Sequence, residues 1–474
     1  MVGKLTRDTF KERLEYMITT LRSEIVTGKY PVGDFLPSEL AIGKRFQLSK
    51  NSVRKGLDEL VKEGLIVKKS RVGTVVSSNV SSTCTTLRVG YYPSLVKEVN
   101  LFELVEAFKK KYPSIGVQLV ALPYEKYAQV VVDYIENDMI DVITINHQHF
   151  VEMGTDIEKL ELMERDESIY SFLNAPFSQL GGQLVQPLTF SPVILCYNRS
   201  IFAQHQIGEP DSSWQWEKVT KIAEDLEKRT NGELFGFYFH PMSVNRWPIF
   251  LMQSEISKKM ADYFDQTSLL RAFEVGKIIF NERKVGMNLL SDSDSDAERL
   301  FKDEKVAMIM ATYFSLNHFK DGDLDYDIAP LPYSDEAKTL LLIIGLAINK
   351  QSRNRHAARV FINYLKGEEV QRRIYNETLS IPVLKKVAEE EDREDMSLFH
   401  RPRRYHLFRE IIPTYRLFND LELSTQQMGQ FKDRLRLYWS GLIRGEEFYH
   451  QIYRSAMHRE EVDHVESSGY RKGS

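Results

Sequence analysis

The sequence predicts a multidomain chain, with a small α+β head followed by a large α/β body. Three observations support this. At 474 residues the chain is about three times a typical domain. Its charge is split: residues 1–78 hold 15 Lys+Arg and 9 Asp+Glu, whereas residues 79–474 hold 48 and 58. The hydrophobic period also changes, from helical stripes before residue 60 to repeated strand–helix alternation after residue 87. With 42% hydrophobic and 27% charged residues, the chain has the apolar mass for large cores and is neither collagen-like nor disordered in composition. Two cysteines, Cys84 and Cys196, exclude a disulfide framework or a zinc cluster built from cysteine alone. A basic head on an acidic body suggests that the head meets a polyanion.

The elements of the head can be read in order. Phe10, Leu14, Met17, Leu21 and Ile25 recur every three or four residues, one buried stripe on a helix stopped by Gly28. After a turn at Tyr30-Pro-Val-Gly-Asp, Ser38 or Pro37 opens a short second helix with Leu40, Ala41 and Phe46 inward. Ser49 is placed to cap a third helix whose core stripe is Val53, Leu57 and Leu60. Its other face carries Lys50, Asn51, Arg54 and Lys55, cations and an amide suited to base edges and phosphates. Gly64 ends that helix. Ile66-Val67 and Thr74-Val75-Val76 then read as two short strands around a basic tip, Lys68 to Gly73. Three helices and a basic hairpin describe a winged helix-turn-helix.

The head resembles the GntR family of bacterial transcription regulators. The resemblance rests on Gly28-x-Tyr30-x-x-Gly33-Asp-x-Leu-Pro-Ser-Glu39, then Ser49-x-x-x-Val53-Arg54-x-x-Leu57-x-x-Leu60, then Glu63-Gly-Leu-Ile66 and Gly73-Thr74. It implies double-stranded operator DNA as partner and a homodimer reading a palindromic site. The residues expected at DNA are Ser38, Ser49, Lys50, Asn51, Ser52, Arg54 and Lys55, with Arg71 and Gly73 on the hairpin. Family members usually place Arg directly after the capping residue. Here Lys50 and Asn51 stand there, so the base preference is expected to differ while the binding mode is kept. Arg54 is expected at a phosphate, the competing reading being an ion pair with Asp58 one turn on.

Residues 77–86, Ser-Ser-Asn-Val-Ser-Ser-Thr-Cys-Thr-Thr, lack periodicity and read as a linker. Beyond it, Leu87-Val89-Tyr91 alternate as a strand. Leu101, Val105, Phe108 and Tyr112 fall on a helix face, Val117 and Leu119 alternate again, and Tyr127, Val131, Tyr134 and Ile135 make another helix before the apolar run Ile140–Ile145. Such alternation builds an α/β sheet that binds ligands at the carboxyl ends of its strands. That places Tyr91, Tyr92 and Asn146-His147-Gln148 there.

The later blocks resemble the family 1 extracellular solute-binding proteins, the maltose-binding-protein type. They include Tyr197-Asn198 before Phe202, Trp214 and Trp216 at a helix start, and Lys305-Val-Ala-Met308. Pro330-Leu-Pro, Ile381-Pro-Val383 and the stretch from Leu435 agree as well. The resemblance covers about residues 85–455. The implied fold is a winged helix-turn-helix followed by a two-lobed α/β, periplasmic-binding-protein-like (type II) domain. The domains are then 1–77 for the head, 78–86 for the linker, 87–458 for two lobes with a hinge, and 459–474 for a polar tail. One lobe takes about 85–195 plus a later return, and the other about 196–345 plus the C-terminal helices.

A sugar or other small polar solute is the implied ligand, held by aromatic faces and by carboxylates or amides. Trp247 and Tyr313 stand where that family often lines its cleft, and Tyr92, Asp141 and Gln148 are further candidates. Trp214 and Trp216 read as structural. Neither a cofactor nor a metal is expected. His147 and His149 lack further ligands, and Asp292-Ser-Asp-Ser-Asp296 departs from a calcium loop at Ala297 and Asp303, so helix capping is the better reading. The start lacks the apolar core of a secretory signal, and no stretch has the roughly 18 apolar residues of a membrane span, so the expectation is cytoplasmic with no membrane partner. Together these imply a ligand-responsive regulator rather than an enzyme. The competing classes are a GntR head on an aminotransferase-like domain, which needs a Schiff-base lysine in a small-residue setting that is absent here, and a carbohydrate-active enzyme with two convergent carboxylates.

Overall fold

The structure, a computed structural model, describes residues 7–26, 29–69, 72–77, 85–254, 266–282, 293–390 and 401–454. Gly28, Arg71, Cys84, most of the expected linker and the polar tail lie outside the described residues, as does the side chain of Phe10.

Helix α1 (Arg7–Val26) buries Met17, Leu21 and Ile25, each four residues from the last. Helix α2 (Glu39–Phe46) is opened by Ser38, whose hydroxyl accepts from the Ala41 amide at 3.2 Å. This start puts Ile42 and Phe46 on the inner face, one turn apart. Leu40 is 69% exposed and Ala41 is exposed, so only Phe46 of the expected inward set is buried. Helix α3 (Lys50–Lys62) is capped by Ser49 and buries Val53, Leu57 and Leu60. Its Gly56 lets α1 approach closely, because a Cβ there would stand 2.2 Å from Met17 Cε. Past α3 the chain turns at Gly64, whose φ of +74° favours glycine. Strands β1 (Ile66–Lys69) and β2 (Gly73–Val76) pair antiparallel from Ile66↔Val76 to Lys69↔Gly73. One apolar cluster joins the three helices and the hairpin, each buried Leu, Ile or Val stabilising it by about 1.5–3 kcal/mol.

Along the rest of the chain run β3 (Thr85–Tyr91), α4 (Leu101–Lys111), β4 (Ile115–Ala121), α5 (Tyr127–Glu136), β5 (Val142–Asn146) and α6 (His147–Glu152). Then come β6 (Gln186–Asn198), α7 (Trp216–Arg229), β7 (Phe235–Tyr238), α8 (Trp247–Gln253), α9 (Asp294–Lys302), β8 (Val306–Thr312) and β9 (Tyr326–Ala329). The last are β10 (Thr339–Ile348), α10 (Arg355–Lys366) and α11 (Thr425–Trp439).

The chain forms two compact units, one of residues 1–145, 153–188 and 345–371, the other of 146–152, 189–344 and 372–474. The head thus clusters with the first unit, and the first long crossing comes at 188/189, inside β6.

In the first unit β3 runs parallel to β4, from Thr85↔Ile115 to Tyr91↔Ala121, and to β5 at Val89↔Val142. Parallel neighbours need crossovers, which α4 and α5 supply. Helix α10 buries Ala357, Ala358, Phe361, Ile362 and Leu365 and packs on α4 and β3.

In the second unit β6 pairs antiparallel with β8 (Met308↔Tyr197) and with β9 (Asp327↔Tyr197), while β7 runs parallel to β8. Helix α7 lies against β7 so closely that a Cβ on Gly236 would meet Ala223 Cα at 2.1 Å. Trp214 and Trp216 are core residues as expected, the Trp216 indole donating to Gln253 Oε1 at 2.7 Å. A capping box between Ser293 and Asp296 opens α9, which fits the capping reading of that acidic run.

Candidate functional site

The N-terminal end of α3 is presented outward. Ser49, Lys50, Asn51, Arg54 and Lys55 are all exposed, while the opposite stripe of the helix is core. The side chain of Ser49 satisfies the Ser52 amide at 3.2 Å. Ser52 itself is buried, its hydroxyl 2.7 Å from that of Ser49, so it braces the helix start and does not face a partner. Ser38 likewise works as a cap, on an exposed corner. Arg54 pairs with Glu39 of α2, its Nε donating to both carboxylate oxygens at 2.9 and 3.1 Å. Asp58 pairs instead with Lys68 of β1 at 2.5 Å, so the i+4 pairing of Arg54 gives way to a tie between α2 and α3. Gly73 is exposed at the hairpin with φ +140°, where a Cβ would also press on the Phe35 ring at 3.2 Å. Exposed Lys44 and Lys69 add to this surface. They belong to the basic runs of the sequence but not to the residues expected there.

At the carboxyl end of the first unit's sheet the aromatic residues form a group. Tyr92 stacks on Tyr127 with centroids 4.3 Å apart, and Tyr124 tilts against Tyr92 at 5.9 Å. Tyr92 is nearly enclosed, whereas Tyr124 is 48% exposed. Phe102, also exposed, meets Tyr91 edge-on at 6.2 Å. Sequence reading placed Tyr91 and Tyr92 here and missed Tyr124 and Phe102. Both lie outside the alternating strand pattern, in Pro123-Tyr124 and at a helix start, where periodicity says nothing about facing.

Asp141 is not part of that end. It precedes β5, at the amino end of the strands, and is 0% exposed. Its carboxylate accepts from the Arg88 amide at 2.8 Å, the Arg88 guanidinium at 3.1 Å and the Ser352 hydroxyl at 2.7 Å. Burial raises this carboxyl, but Arg88 and Ser352 outweigh burial and hold it below the usual range. Asp141 is therefore a structural anion, and the ligand role expected of it is corrected.

Trp247 and Tyr313 are corrected for a related reason. Trp247 is 0% exposed at the start of α8, its ring stacked on Phe431 at 5.4 Å and 8°, so that face is closed to a sugar. Tyr313 is enclosed too. Its hydroxyl donates to the Tyr405 carbonyl at 2.8 Å and accepts from the Phe408 amide at 3.1 Å. Beside Trp247, buried Arg246 reaches the Met310 carbonyl at 3.3 Å and Asp294 at 3.6 Å, while Ser243 donates to Asp294 at 2.9 Å. Ser243 and Arg246 follow β7 and meet Met310 within β8 and Asp294 at the start of α9.

Gln148 is half-buried on α6 and donates to Glu152 Oε1 at 2.9 Å. Its neighbours His147 and His149 are buried, and burial pushes both down to about 4, so they are neutral at pH 7. Among the described residues no group of three or more His, Cys, Asp or Glu is placed to hold a metal ion. No helix among them is long and apolar enough to cross a membrane.

Comparison with known proteins agrees with both halves of this description. The profile of the family described as bacterial extracellular solute-binding protein matches residues 94–372, and that of bacterial regulatory proteins, gntR family, matches residues 17–76. The galactooligosaccharide-binding protein of Bacillus subtilis (strain 168) is 20% identical over 344 residues, covering 67% of this chain and 77% of that protein. The uncharacterized HTH-type transcriptional regulator YieP of Escherichia coli (strain K12) is 31% identical over 67 residues, covering 14% of this chain and 29% of that regulator. The chain thus spans under a third of that regulator and is similar to it in the head alone. An ABC substrate-binding protein from Listeria monocytogenes, solved in complex with cycloalternan, is similar in fold with a TM-score of 0.65 at 16% identity, over 80% of this chain and 99% of that one. The chain belongs to the bacterial extracellular solute-binding protein family, and in the same polypeptide a gntR-family winged helix precedes that domain.

Proposed function

We propose that this chain is a DNA-binding transcription regulator whose affinity for its operator is set by a small solute, a sugar or oligosaccharide, held by the solute-binding domain. The observation that carries the reading is the outward face of α3. Ser49, Lys50, Asn51, Arg54 and Lys55 are exposed together on a helix whose other side is core, in a chain that continues into a solute-binding domain. Lys50 and Asn51, in the first turn, are the base-reading pair, Lys toward guanine and Asn toward adenine. Arg54, Lys55 and the hairpin cations supply phosphate contacts. Two copies reading a palindrome account for a homodimer, and DNA as partner places the protein in the cytoplasm.

The solute class follows from the aromatic group. Tyr124, exposed over the Tyr92–Tyr127 stack, offers a flat apolar face of the kind that meets a sugar ring, at the strand ends where α/β sheets take ligands. The names of the relatives point the same way, one binding galactooligosaccharides and one solved with cycloalternan. The domain is read as a binding module rather than a catalyst. Solute closes the lobes, closure alters how paired heads meet DNA, and solute and operator affinities are then reciprocally linked.

The test takes duplexes enriched from a random pool by the full chain, together with malto- and galacto-oligosaccharides as solutes. A sugar that raises the melting temperature and changes duplex affinity by at least 5-fold supports the reading, since coupling of about 1–3 kcal/mol is typical. A chain that binds duplex no better than a simple polycation does, at matched salt, ends it.

A further inference from the structure

The head is not merely strung on the chain before the sensor, because α1 packs on α10. Where they meet, Arg22 of α1 forms a two-pronged ion pair with Glu63, the residue closing α3, with Nε donating to Oε2 at 2.7 Å and Nη2 to Oε1 at 2.5 Å. His356, in the first turn of α10, lies within electrostatic reach of Arg22, Glu63 and Arg359. The His356 ring is half-buried, and its Nε2 is enclosed with no hydrogen-bond partner among the described residues.

The same end of α10 is tied down on its other side. Arg359 Nε donates to Glu161 Oε1 at 2.6 Å, and Arg355 stands 3.6 Å from the other oxygen of that buried carboxylate. The turn before the helix is pinned to Asp141 through the Asn349 amide at 3.0 Å and the Ser352 hydroxyl at 2.7 Å. That turn follows directly on β10, the strand within which the chain passes from one compact unit to the other at 344/345.

We propose that this docked face, Arg22 and Glu63 against His356 at the start of α10, is the route by which solute occupancy reaches the recognition helix, in place of the expected 78–86 linker. The physical case is one of stiffness. A displacement of β10 enters a turn held by several hydrogen bonds and then a helix with a buried stripe, and Arg22 grips the far end of α3. The face also suits an adjustable contact, since Arg22 and His356 are only half-buried and Glu63 is exposed, so modest differential contacts can shift it. This inference rests on the regulator reading.

The experiment uses the full chain and two variants, His356→Lys and His356→Gln. Lysine sets a third cation against Arg22 and Arg359, whereas glutamine keeps a neutral polar group there. Hydrogen exchange reads the docking without DNA or sugar. His356→Lys is expected to raise exchange in the last two turns of α1 at least 5-fold while α3 stays as protected as in the wild type, showing that the head is folded, and His356→Gln is expected to match the wild type. Equal α1 exchange in the wild type and His356→Lys overturns the docked face. The sugar-induced change in duplex affinity reads the route. Its loss in His356→Lys, with sugar and duplex each still bound and with the response kept when four Gly-Ser residues lengthen the linker, supports the proposal. An unchanged response in His356→Lys, or loss on linker insertion alone, overturns it and leaves the regulator reading intact. A wild-type chain deaf to every sugar overturns the regulator reading and the route together, and exchange then decides the docking alone.

Discussion

Asp141 shows how one side chain can resemble a ligand group and serve the scaffold instead. It accepts from two Arg88 groups and from Ser352 with none of its surface exposed, so its removal takes the acceptor from the Arg88 amide and the buried Ser352 hydroxyl, although the guanidinium keeps Asp138. Asp141→Ala is expected to cost about 3–5 kcal/mol in denaturant unfolding, the range for breaking one partner from a buried pair. Because the folded carboxyl sits below its ordinary value, its contribution is present above about pH 4 and is lost as pH falls through the folded value. Lys50 belongs to the opposite class, exposed and outside the packing. Lys50→Ala is expected to weaken binding to a selected duplex about 10-fold, within the roughly 1–3 kcal/mol of a base contact, and to leave the sugar-induced melting shift unchanged. Loss of both would mean the fold had failed. In the sequence, the exposed residues of α3 were legible because exposure follows from helical period once the core stripe is known, whereas Ser52, expected among them, is buried. The ligand residues were not, since Trp247 and Tyr313 sit in patterns that a core aromatic and a cleft aromatic share. Only the Phe431 stack and the Tyr405 and Phe408 bonds separate the two.

Among the elements, α1, α3 and the hairpin were legible from capping and period, and so was α5. Two features escaped. The face of α2 was misjudged because Leu40 and Ile42 are both apolar, and a helix of eight residues has too few turns for its period to choose. Strand β10 passed unread because Leu340–Ile344 is continuously apolar, which a buried strand and a buried helix share. Close element packing supplies a test of its own. Gly236→Ala would drive a methyl into the backbone of α7, where Ala223 Cα would stand at 2.1 Å. The helix must then move off β7, at an expected cost of about 1–3 kcal/mol in thermal unfolding. A variant as stable as the wild type would mean that this packing is looser than described.

Over the whole molecule, the burial of histidine rings shapes the response to acid. Burial holds His147, His149 and His356 at about 4, below the ordinary 6.5. For such groups the unfolded chain binds protons first, so stability is expected to decline as pH falls from about 6.5 to 4. This window lies above the Asp141 range, and the two should separate in a melting-temperature profile. His149→Gln should flatten the upper segment, and an unchanged slope between pH 6.5 and 4.5 would contradict the burial of that ring. The two-part organisation was legible from charge and period, and the two lobes from the resemblance to the solute-binding proteins. The finer division was not, because the first crossing falls inside β6 at 188/189 rather than at a turn, and nothing in an unbroken strand marks it.

Residues 345–371 complete the first unit although they are synthesised after most of the second. A nascent chain therefore carries a finished winged helix through some 270 further residues before α10 exists to receive it. At roughly 5–20 residues per second, this leaves α1 without its α10 partner for roughly 15–50 s on every ribosome. Premature termination anywhere in that span would release a fragment able to occupy DNA with no means of sensing anything.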